Sequence, residues 1–206
     1  MKRMVYVLRH AQTEFNKKRI IQGSGIDSVL NEHGQLQAQE FYAFYKSTPF
    51  NLIYTSGLQR TRMTVQPFIT HSKVPTRSTD LLNEINWGIY EGQSGSPAMK
   101  EDYQKLIREW QSGNFDYSLK GAESAFDLRK RLTTFLTMLD EEPYEKVLIC
   151  SHGRTIRGLI CLLKGESLTQ MEKYSHVNTG LSIFEFDGDV YRSTKENDFT
   201  HLSGLT

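Results

Sequence analysis

Arg9 and His10 are the first residues in this sequence whose types and position suggest chemistry. They lie in "LRHAQTEFN", directly after the apolar run Met4–Leu8, which is typical of a strand that is covered on both faces. Two cationic or nearly cationic groups at the end of a buried strand need a compensating charge. Either they pair with carboxylates of the fold, or they bind an anion that comes from outside.

A second arginine, a second histidine and one carboxylate occur in comparable positions. Arg60 lies in "TSGLQRTR" and His152 and Gly153 lie in "CSHGRTIRG", each after an apolar run, and Glu84 is the carboxylate of "LLNEIN". Gly153 has no side chain and therefore lets a backbone amide approach a ligand closely. Two arginines and two histidines can surround a phosphoryl group, and a carboxylate can supply the proton that its leaving group needs. Together these residues predict a phosphate pocket.

The apolar runs predict a sheet that brings these residues together. Strand-like runs lie at Val5–Leu8, Leu52–Tyr54, Val147–Cys150 and Leu181–Phe186. Helical periodicity is clearest over Ser124–Asp140, and further helices are predicted after Asn31, a suitable N-cap, and from about Gln59. This alternation predicts a three-layer α/β/α fold with a mostly parallel central sheet and helices on both faces. Open sheets of this kind bind ligands at their strand ends.

The segment from about 85 to 122 interrupts the alternation. It is rich in aromatic residues and has one short helix candidate, Ala98–Gln111. Two interpretations are open: a surface excursion packed by its own aromatic side chains, and a lid that shapes a pocket. After it, Asp187 and Gly188 predict the turn of a terminal hairpin. A chain of 206 residues suits one core, so we expect a single domain over 1–206 with an insertion at about 85–122.

The composition is that of an ordinary globular protein and restricts the partners. The net charge of +1 provides no basic surface for nucleic acid, and no apolar run approaches membrane-spanning length. The first residues include no long apolar stretch, so we expect a cytoplasmic protein that has neither nucleic acid nor a membrane as partner. Cys150 and Cys161 each lie in an apolar segment, which favours buried free thiols over a metal or redox site.

The sequence resembles the histidine phosphatase superfamily, also called the phosphoglycerate mutase-like family. "LRHAQTEFN" is similar to the family's Arg-His-Gly motif with Ala11 in place of the glycine, and "VLICSHGRTIRGL" is similar to its second histidine motif. "LNEHGQLQA", "SGLQRTRMT", "LLNEINWGIYEG" and "GAES" are similar to further segments and occur in the family's order. Alanine can replace glycine where φ is negative, so we expect an ordinary backbone conformation at Ala11.

The resemblance implies a metal-independent phosphomonoester hydrolase that acts through a phosphohistidine intermediate. His10 is then the nucleophile, Glu84 is the proton donor and acceptor, and Arg9, Arg60 and His152 stabilise the phosphoryl oxygens. Positions that match the family's phosphate and substrate contacts are Asn16, Thr13, Gln22 and Gly23. The resemblance implies no metal and no cofactor. The partner is a small phosphorylated substrate, and inorganic phosphate is the product.

Two other functions stay open on the sequence. A cofactor-dependent phosphoglycerate mutase moves phosphate between substrate positions, and its branch of the family has an arginine after the catalytic glutamate and an arginine-rich insertion. Here Ile85 follows Glu84, and Arg108 is the one arginine of the segment 85–122, which favours a phosphatase. Three lysines can partly substitute: Lys100, Lys105 and Lys120. A non-catalytic phospho-ligand binding protein would lack the nucleophile or the acid, and this sequence has candidates for both.

The physiological substrate and the oligomeric state are not predicted. The aromatic residues of the segment 85–122 suggest a partly apolar pocket rim, which disfavours small acids with several charges. Among the other histidines, His176 precedes "VNTG", a loop that can approach the pocket. The terminal hairpin can either expose its edge strand or bury it in a dimer.

Overall fold

The structure is a computed structural model that describes residues 3–205, and its centre is a six-stranded sheet. The strands are β1 (Arg3–Arg9), β2 (Leu52–Thr55), β3 (Thr76–Ser78), β4 (Lys146–Ser151), β5 (Leu181–Phe186) and β6 (Tyr191–Asp198). They lie in the order β3-β2-β4-β1-β5-β6. The first four of these are parallel, β5 is antiparallel to β1, and β6 is antiparallel to β5. The predicted α/β fold with a mostly parallel sheet is confirmed.

Helices cover both faces of the sheet. They are α1 (Glu14–Lys17), α2 (Glu32–Tyr45), α3 (Gln59–Thr70), α4 (Pro97–Gln111), α5 (Ala125–Asp140) and α6 (Gly153–Leu163). Short 3₁₀ helices lie at Asp80–Leu82, Gly88–Tyr90, Leu168–Lys173 and Thr200–Leu202. Side chains alternate along β1: Val5 and Val7 pack in one hydrophobic cluster with α4, α5 and α6, and Tyr6 and Leu8 pack in another with α2 and α3. No helix within residues 3–205 is long and apolar enough to cross a membrane.

Local sequence signals explain most element boundaries. The Asn31 side chain caps α2, and Ser124 caps α5 in a capping box with Asp127. The predicted terminal hairpin is formed by β5 and β6, with Gly188 at φ 108° in its turn. Strand β3 was not predicted, because its three residues, "TRS", form no apolar run.

The segment 85–122 packs onto the main core. Helix α4 buries Met99, Leu106 and Trp110 in the same hydrophobic cluster as α5 and α6. Its buried side chains therefore pack against the main core as well as against one another. The segment also brings Trp87 and Tyr103 to the carboxyl-terminal edge of the sheet, where they line a cavity together with Arg9 and His10.

Candidate active site

His10 and His152 lie side by side because the strands that precede them are adjacent and parallel. Arg9 at the end of β1 pairs with Ser151 at the end of β4, so both histidines follow at the same edge of the sheet. The His10 backbone N–H donates to Ser151 O at 2.9 Å, and the two imidazole centroids are 5.1 Å apart. Both side chains are buried. The structure thus brings the two predicted histidines together.

Hydrogen bonding fixes the tautomer of His10. Its Nδ1 lies 2.7 Å from Ala11 O, and because a carbonyl oxygen only accepts, Nδ1 carries the proton. Nε2 then has a free lone pair. Burial, and after it the Arg60 and Arg9 guanidinium groups, hold the pKa of His10 well below its ordinary value. The ring is therefore neutral at pH 7 and can act as a nucleophile through Nε2.

Ala11 occupies its position in the motif without strain. It is not among the described residues that have a positive φ, which confirms the expected ordinary conformation. Its side chain is fully buried, and its N–H donates to Thr64 Oγ1 at 2.9 Å. The backbone after His10 is therefore fixed by a buried hydrogen bond to α3.

His152 has the opposite tautomer. Arg60 Nε donates to His152 Nδ1 at 3.1 Å, so the proton lies on Nε2, which donates to Ser56 Oγ at 2.8 Å. The other Arg60 nitrogens donate to Ile26 O at 2.6 Å and to Gly23 O at 3.2 Å. Burial lowers the pKa of Arg60 to about 10, so the guanidinium keeps its charge at pH 7. A buried cation next to both rings favours negative charge in front of them.

Arg9 offers an unpaired donor at this edge. Its Nη1 donates to His176 O at 2.5 Å, whereas its buried Nε has no hydrogen-bond partner within residues 3–205. Burial lowers the pKa of Arg9, and the nearby Glu84 carboxylate raises it. Because the fold leaves this N–H without a protein acceptor, Arg9 Nε is available to donate to an anionic ligand.

Glu84 is held at the first turn of α6, which begins directly after His152. Its Oε2 accepts from the Arg154 backbone N–H and its Oε1 from the Thr155 backbone N–H, both at 3.1 Å. The Thr155 hydroxyl also donates to Oε1 at 3.1 Å. The helix start therefore fixes the carboxylate beside the histidine pair. Because the residues between β3 and α4 carry Glu84, two separate parts of the chain build this contact.

Asn16, Thr13 and Gln22 form one hydrogen-bond network beside His10. Asn16 Oδ1 accepts from the Thr13 N–H at 3.1 Å and from Asn178 Nδ2 at 3.2 Å, which leaves Asn16 Nδ2 as a donor for a ligand. Gln22 Nε2 donates to Thr13 Oγ1 at 2.8 Å. Asn178 Nδ2 also donates to His10 O at 2.9 Å and so connects the network to His10.

A cavity of about 530 Å³ opens over these groups. The predicted site residues that line it are Arg9, His10, Asn16, Gln22 and Glu84. Gly153 lines a smaller adjoining cavity of about 170 Å³. A Cβ atom on Gly153 would lie 3.6 Å from Arg9 Nε and 3.7 Å from Glu84 Oε2, so the glycine keeps the space between these two groups open.

The remaining predicted site residues lie behind the cavity lining. They are Arg60, His152, Thr13 and Gly23. Arg60 and His152 contact each other, Thr13 supports Asn16 and Gln22, and the Gly23 carbonyl accepts from Arg60. Within the part of the chain that the structure describes, no three His, Cys, Asp or Glu side chains are placed to hold a metal ion.

Sequence reasoning missed Asn178, Tyr103 and Arg154. Asn178 lies in the loop before β5, and because β5 is antiparallel to β1, the start of β5 lies at the end of β1. The approach of this loop to the site, anticipated from His176, is confirmed. Tyr103 lines the cavity, and the buried Arg154 guanidinium donates to the Tyr103 hydroxyl. Nothing in the sequence pattern separates Arg154 from an exposed helical arginine.

Comparison with known proteins gives matches over almost the whole chain. Residues 5–198 match the histidine phosphatase superfamily (branch 1). A protein of Hydrogenobacter thermophilus with the name "Putative phosphoserine phosphatase 2" is 30% identical over 210 residues, which cover 100% of both chains. A 2,3-bisphosphoglycerate-dependent phosphoglycerate mutase of Mesorhizobium japonicum is 27% identical over 95% of this chain and 98% of that protein.

Solved structures agree with these sequence matches. A mutant phosphoserine phosphatase of Entamoeba histolytica in complex with phosphoserine has a TM-score of 0.80 and 25% identity, and the match covers 97% of this chain and 98% of that one. The same enzyme in complex with 3-phosphoglyceric acid has a TM-score of 0.80 and 26% identity, with the same coverage. The chain therefore belongs to the histidine phosphatase superfamily (branch 1), and it is a phosphatase that hydrolyses phosphomonoesters through a histidine.

Proposed function

We propose that His10 is the histidine that carries the phosphoryl group and that Glu84 moves the protons of the reaction. The observation that carries this assignment is the tautomer of His10, whose Nδ1–H is bound to Ala11 O and whose Nε2 lone pair is free. His10 lines the same cavity as the unpaired Arg9 donor and the Glu84 carboxylate. A nucleophile, a cation and a proton donor are thus within reach of one small ligand.

In the first step, His10 Nε2 attacks phosphorus and the bond from phosphorus to the leaving oxygen breaks. Glu84 gives its proton to that oxygen, so the product alcohol leaves uncharged.

The phosphoryl oxygens are stabilised by donors of the site. The Arg9 guanidinium and Asn16 Nδ2 donate to these oxygens. His152 Nε2–H also donates to them, in place of its hydrogen bond to Ser56 Oγ. Arg60 supports this charge from behind.

In the second step, Glu84 takes a proton from water, and the resulting oxygen attacks the phosphoryl group on His10. The bond from Nε2 to phosphorus breaks, which returns His10 to its neutral form and releases inorganic phosphate. Gly153 contributes by leaving the space next to Arg9 and Glu84 free. All the charges that this scheme needs are supplied by side chains and backbone amides of the chain itself, in line with the proposal that no metal or other cofactor takes part.

Hydrolysis fits the site better than a mutase reaction, although a mutase is among the relatives. A mutase must hold a second acidic group tightly, and the residue after Glu84 is Ile85. Of the lysines that can replace the missing arginines, Lys100 alone lines the cavity. Lys105 instead lies over the Tyr117 ring. A binding protein without turnover is disfavoured, since the nucleophile and the acid lie together.

We also propose that residues 1–206 form one domain, and that the protein acts in the cytoplasm on small phosphomonoesters. One hydrophobic cluster that joins the sheet, α5, α6 and α4 supports the single domain. The two buried free cysteines, Cys150 and Cys161, support a reducing compartment. Whether the segment 85–122 closes over the substrate as a lid stays a prediction.

The assignment is tested by hydrolysis of an aryl phosphate in the presence of a chelator. Wild type is expected to be active, and His10→Ala is expected to lose activity by at least about a thousandfold, because the nucleophile is gone. His33→Ala, at an exposed position on α2, is the matched control and keeps full activity. An inactive wild type, or full activity in His10→Ala, contradicts the proposal.

A further inference from the structure

The two oxygens of the Glu84 carboxylate are held differently. Oε1 accepts from the N–H groups of Ile85 and Thr155, at 3.0 and 3.1 Å, and from the Thr155 hydroxyl at 3.1 Å. Among the residues that the structure describes, only Arg154 donates to Oε2, through its backbone N–H at 3.1 Å. Oε1 is therefore anchored by the protein, and Oε2 keeps a lone pair for other partners.

Oε2 lies on the same side of the site as the available donor of Arg9. A Cβ atom on Gly153 would lie 3.7 Å from Oε2 and 3.6 Å from Arg9 Nε, so both atoms border the same open space. A carboxyl group in its acid form has one proton, and an oxygen that already accepts from several donors has no room for it. In the acid form of Glu84, the proton is therefore placed on Oε2.

The Thr155 hydroxyl is itself held by other groups. Its oxygen lies 2.7 Å from Asn83 O and 3.4 Å from Arg131 Nη2, and the side chain is fully buried. Because a guanidinium only donates, Arg131 occupies a lone pair of the hydroxyl and directs the hydroxyl proton toward Asn83 O or Glu84 Oε1. The hydroxyl thus bridges the carboxylate and the peptide group that precedes it.

Arg131 also holds the chain on both sides of Glu84. Its Nη1 donates to Leu81 O at 2.7 Å, which lies before Glu84 in the chain. Its Nε and Nη2 pair with the Glu123 carboxylate at 2.6 and 3.1 Å, and this carboxylate accepts from the Asn86 N–H at 3.4 Å. Glu123 belongs to "GAES", so these contacts give that segment a physical role beside the site.

We propose that Thr155 is a positioning residue for proton transfer by Glu84. Arg131 and Glu123 support it. This role rests on the proposed function, in which Glu84 gives a proton to the leaving oxygen. By occupying Oε1, the Thr155 hydroxyl directs the carboxyl proton to Oε2. Its hydrogen bond also fixes the plane of the carboxylate, so that the proton is held in one direction relative to the leaving oxygen.

A comparison of two leaving groups tests this role. Thr155→Val removes the hydroxyl with little change in shape. Its kcat/KM should fall about tenfold for an alkyl phosphate, but by no more than about twofold for an aryl phosphate, whose leaving oxygen needs less help from an acid. Thr155→Ser keeps the hydroxyl and should restore the wild-type ratio of the two rates. Thr134→Val removes an exposed hydroxyl on α5 and is the matched control, which keeps the ratio.

Two further variants separate positioning from folding. Arg131→Lys keeps the charge but loses the forked contacts, so the alkyl phosphate rate should again fall selectively, by about threefold. In a Glu84→Gln background, Thr155→Val should not change the ratio further, because the proton that Thr155 positions is gone.

The wild-type ratio in Thr155→Val overturns the positioning role, and so does a Thr155→Ser variant that behaves like Thr155→Val. A further change of the ratio in the Glu84→Gln background has the same consequence. If Thr155→Val does not fold, Arg131→Lys decides, and an unchanged ratio there overturns the role. The proposed function fails separately: in that case Glu84→Gln lowers the alkyl and aryl rates alike.

Discussion

At the scale of single residues, the two histidines of the site differ in which nitrogen carries the proton. A carbonyl oxygen places the proton of His10 on Nδ1, and the Arg60 guanidinium places that of His152 on Nε2. One ring therefore presents a lone pair, and the other presents a donor. Burial and the neighbouring arginines keep the pKa of both rings low, so neither needs to lose a proton before it acts at neutral pH.

The proton role of Glu84 predicts a dependence on the leaving group. Glu84→Gln should lower kcat/KM for an alkyl phosphate by about a thousandfold, but by about tenfold for an aryl phosphate whose leaving oxygen is weakly basic. Steady-state kinetics on both substrates measures the difference. Since misfolding would reduce both rates alike, the comparison within one variant is its own control. An equal fall in kcat/KM on the two substrates would show that Glu84 is not the acid that protonates the leaving oxygen.

Most of the chemistry-bearing residues could be found from the sequence, because they follow apolar strands that end at one edge. Which of them line the cavity and which lie behind it could not be predicted. That Arg60 and His152 lie behind the cavity lining depends on how the start of α3 meets the turn between β4 and α6, where Arg60 donates to His152, and no local pattern records this contact. Asn178 was missed for a different reason. It contributes because β5 is antiparallel to β1, and strand direction is a property of the assembled sheet.

At the scale of elements, Arg154 joins three parts of the fold. Its backbone N–H holds Glu84, and its side chain connects α6 to Tyr103 of α4 and to Glu172 of the 3₁₀ helix Leu168–Lys173. The guanidinium also lies within 5.7 to 6.0 Å of the ring centroids of Trp87, Tyr103 and Trp110. The position of the segment 85–122 is thereby coupled to the start of α6.

This coupling predicts a larger stability loss at Arg154 than at its neighbour Arg157. Arg154→Met leaves Glu172 and Tyr103 without their buried partner, so the free energy of unfolding should fall by about 2–3 kcal/mol. Arg157 pairs with the same carboxylate at 2.7 Å but is more exposed, and Arg157→Met should cost about 1 kcal/mol or less. Urea unfolding of both variants measures the difference. Equal losses would show that the Arg154 cluster adds nothing beyond a surface ion pair.

At the scale of the whole molecule, burial keeps most histidines uncharged. Four of the six are buried: His10, His152, His176 and His201. Burial lowers the pKa of His176 and of His201 to about 4, and it lowers the pKa of His10 and His152 well below the ordinary value. Below about pH 6.5 the unfolded chain binds protons at these positions that the folded chain does not bind.

The protein should therefore lose stability as the pH falls. Its stability is fully present above about pH 6.5 and decreases toward pH 4, since the unfolded state takes up more protons across this window. Thermal unfolding at pH 7.5, 6 and 5 should show a falling midpoint. His201→Gln should reduce the slope, and His33→Gln, at an exposed position, should not. A midpoint that stays constant over this range, or the same slope in His201→Gln as in wild type, would contradict this explanation.

Trapping the phosphoenzyme would show whether the phosphoryl group is transferred to Nε2 of His10. Glu84→Gln should accumulate a phosphoenzyme with an aryl phosphate, because the good leaving group spares the first step while the second step lacks its base. Alkaline quenching, peptide mass spectrometry and ³¹P NMR would locate the phosphate. We expect one phosphate per chain, on Nε2 of His10. Phosphate on Nδ1 or on another residue, or hydrolysis with no phosphoenzyme, would contradict it.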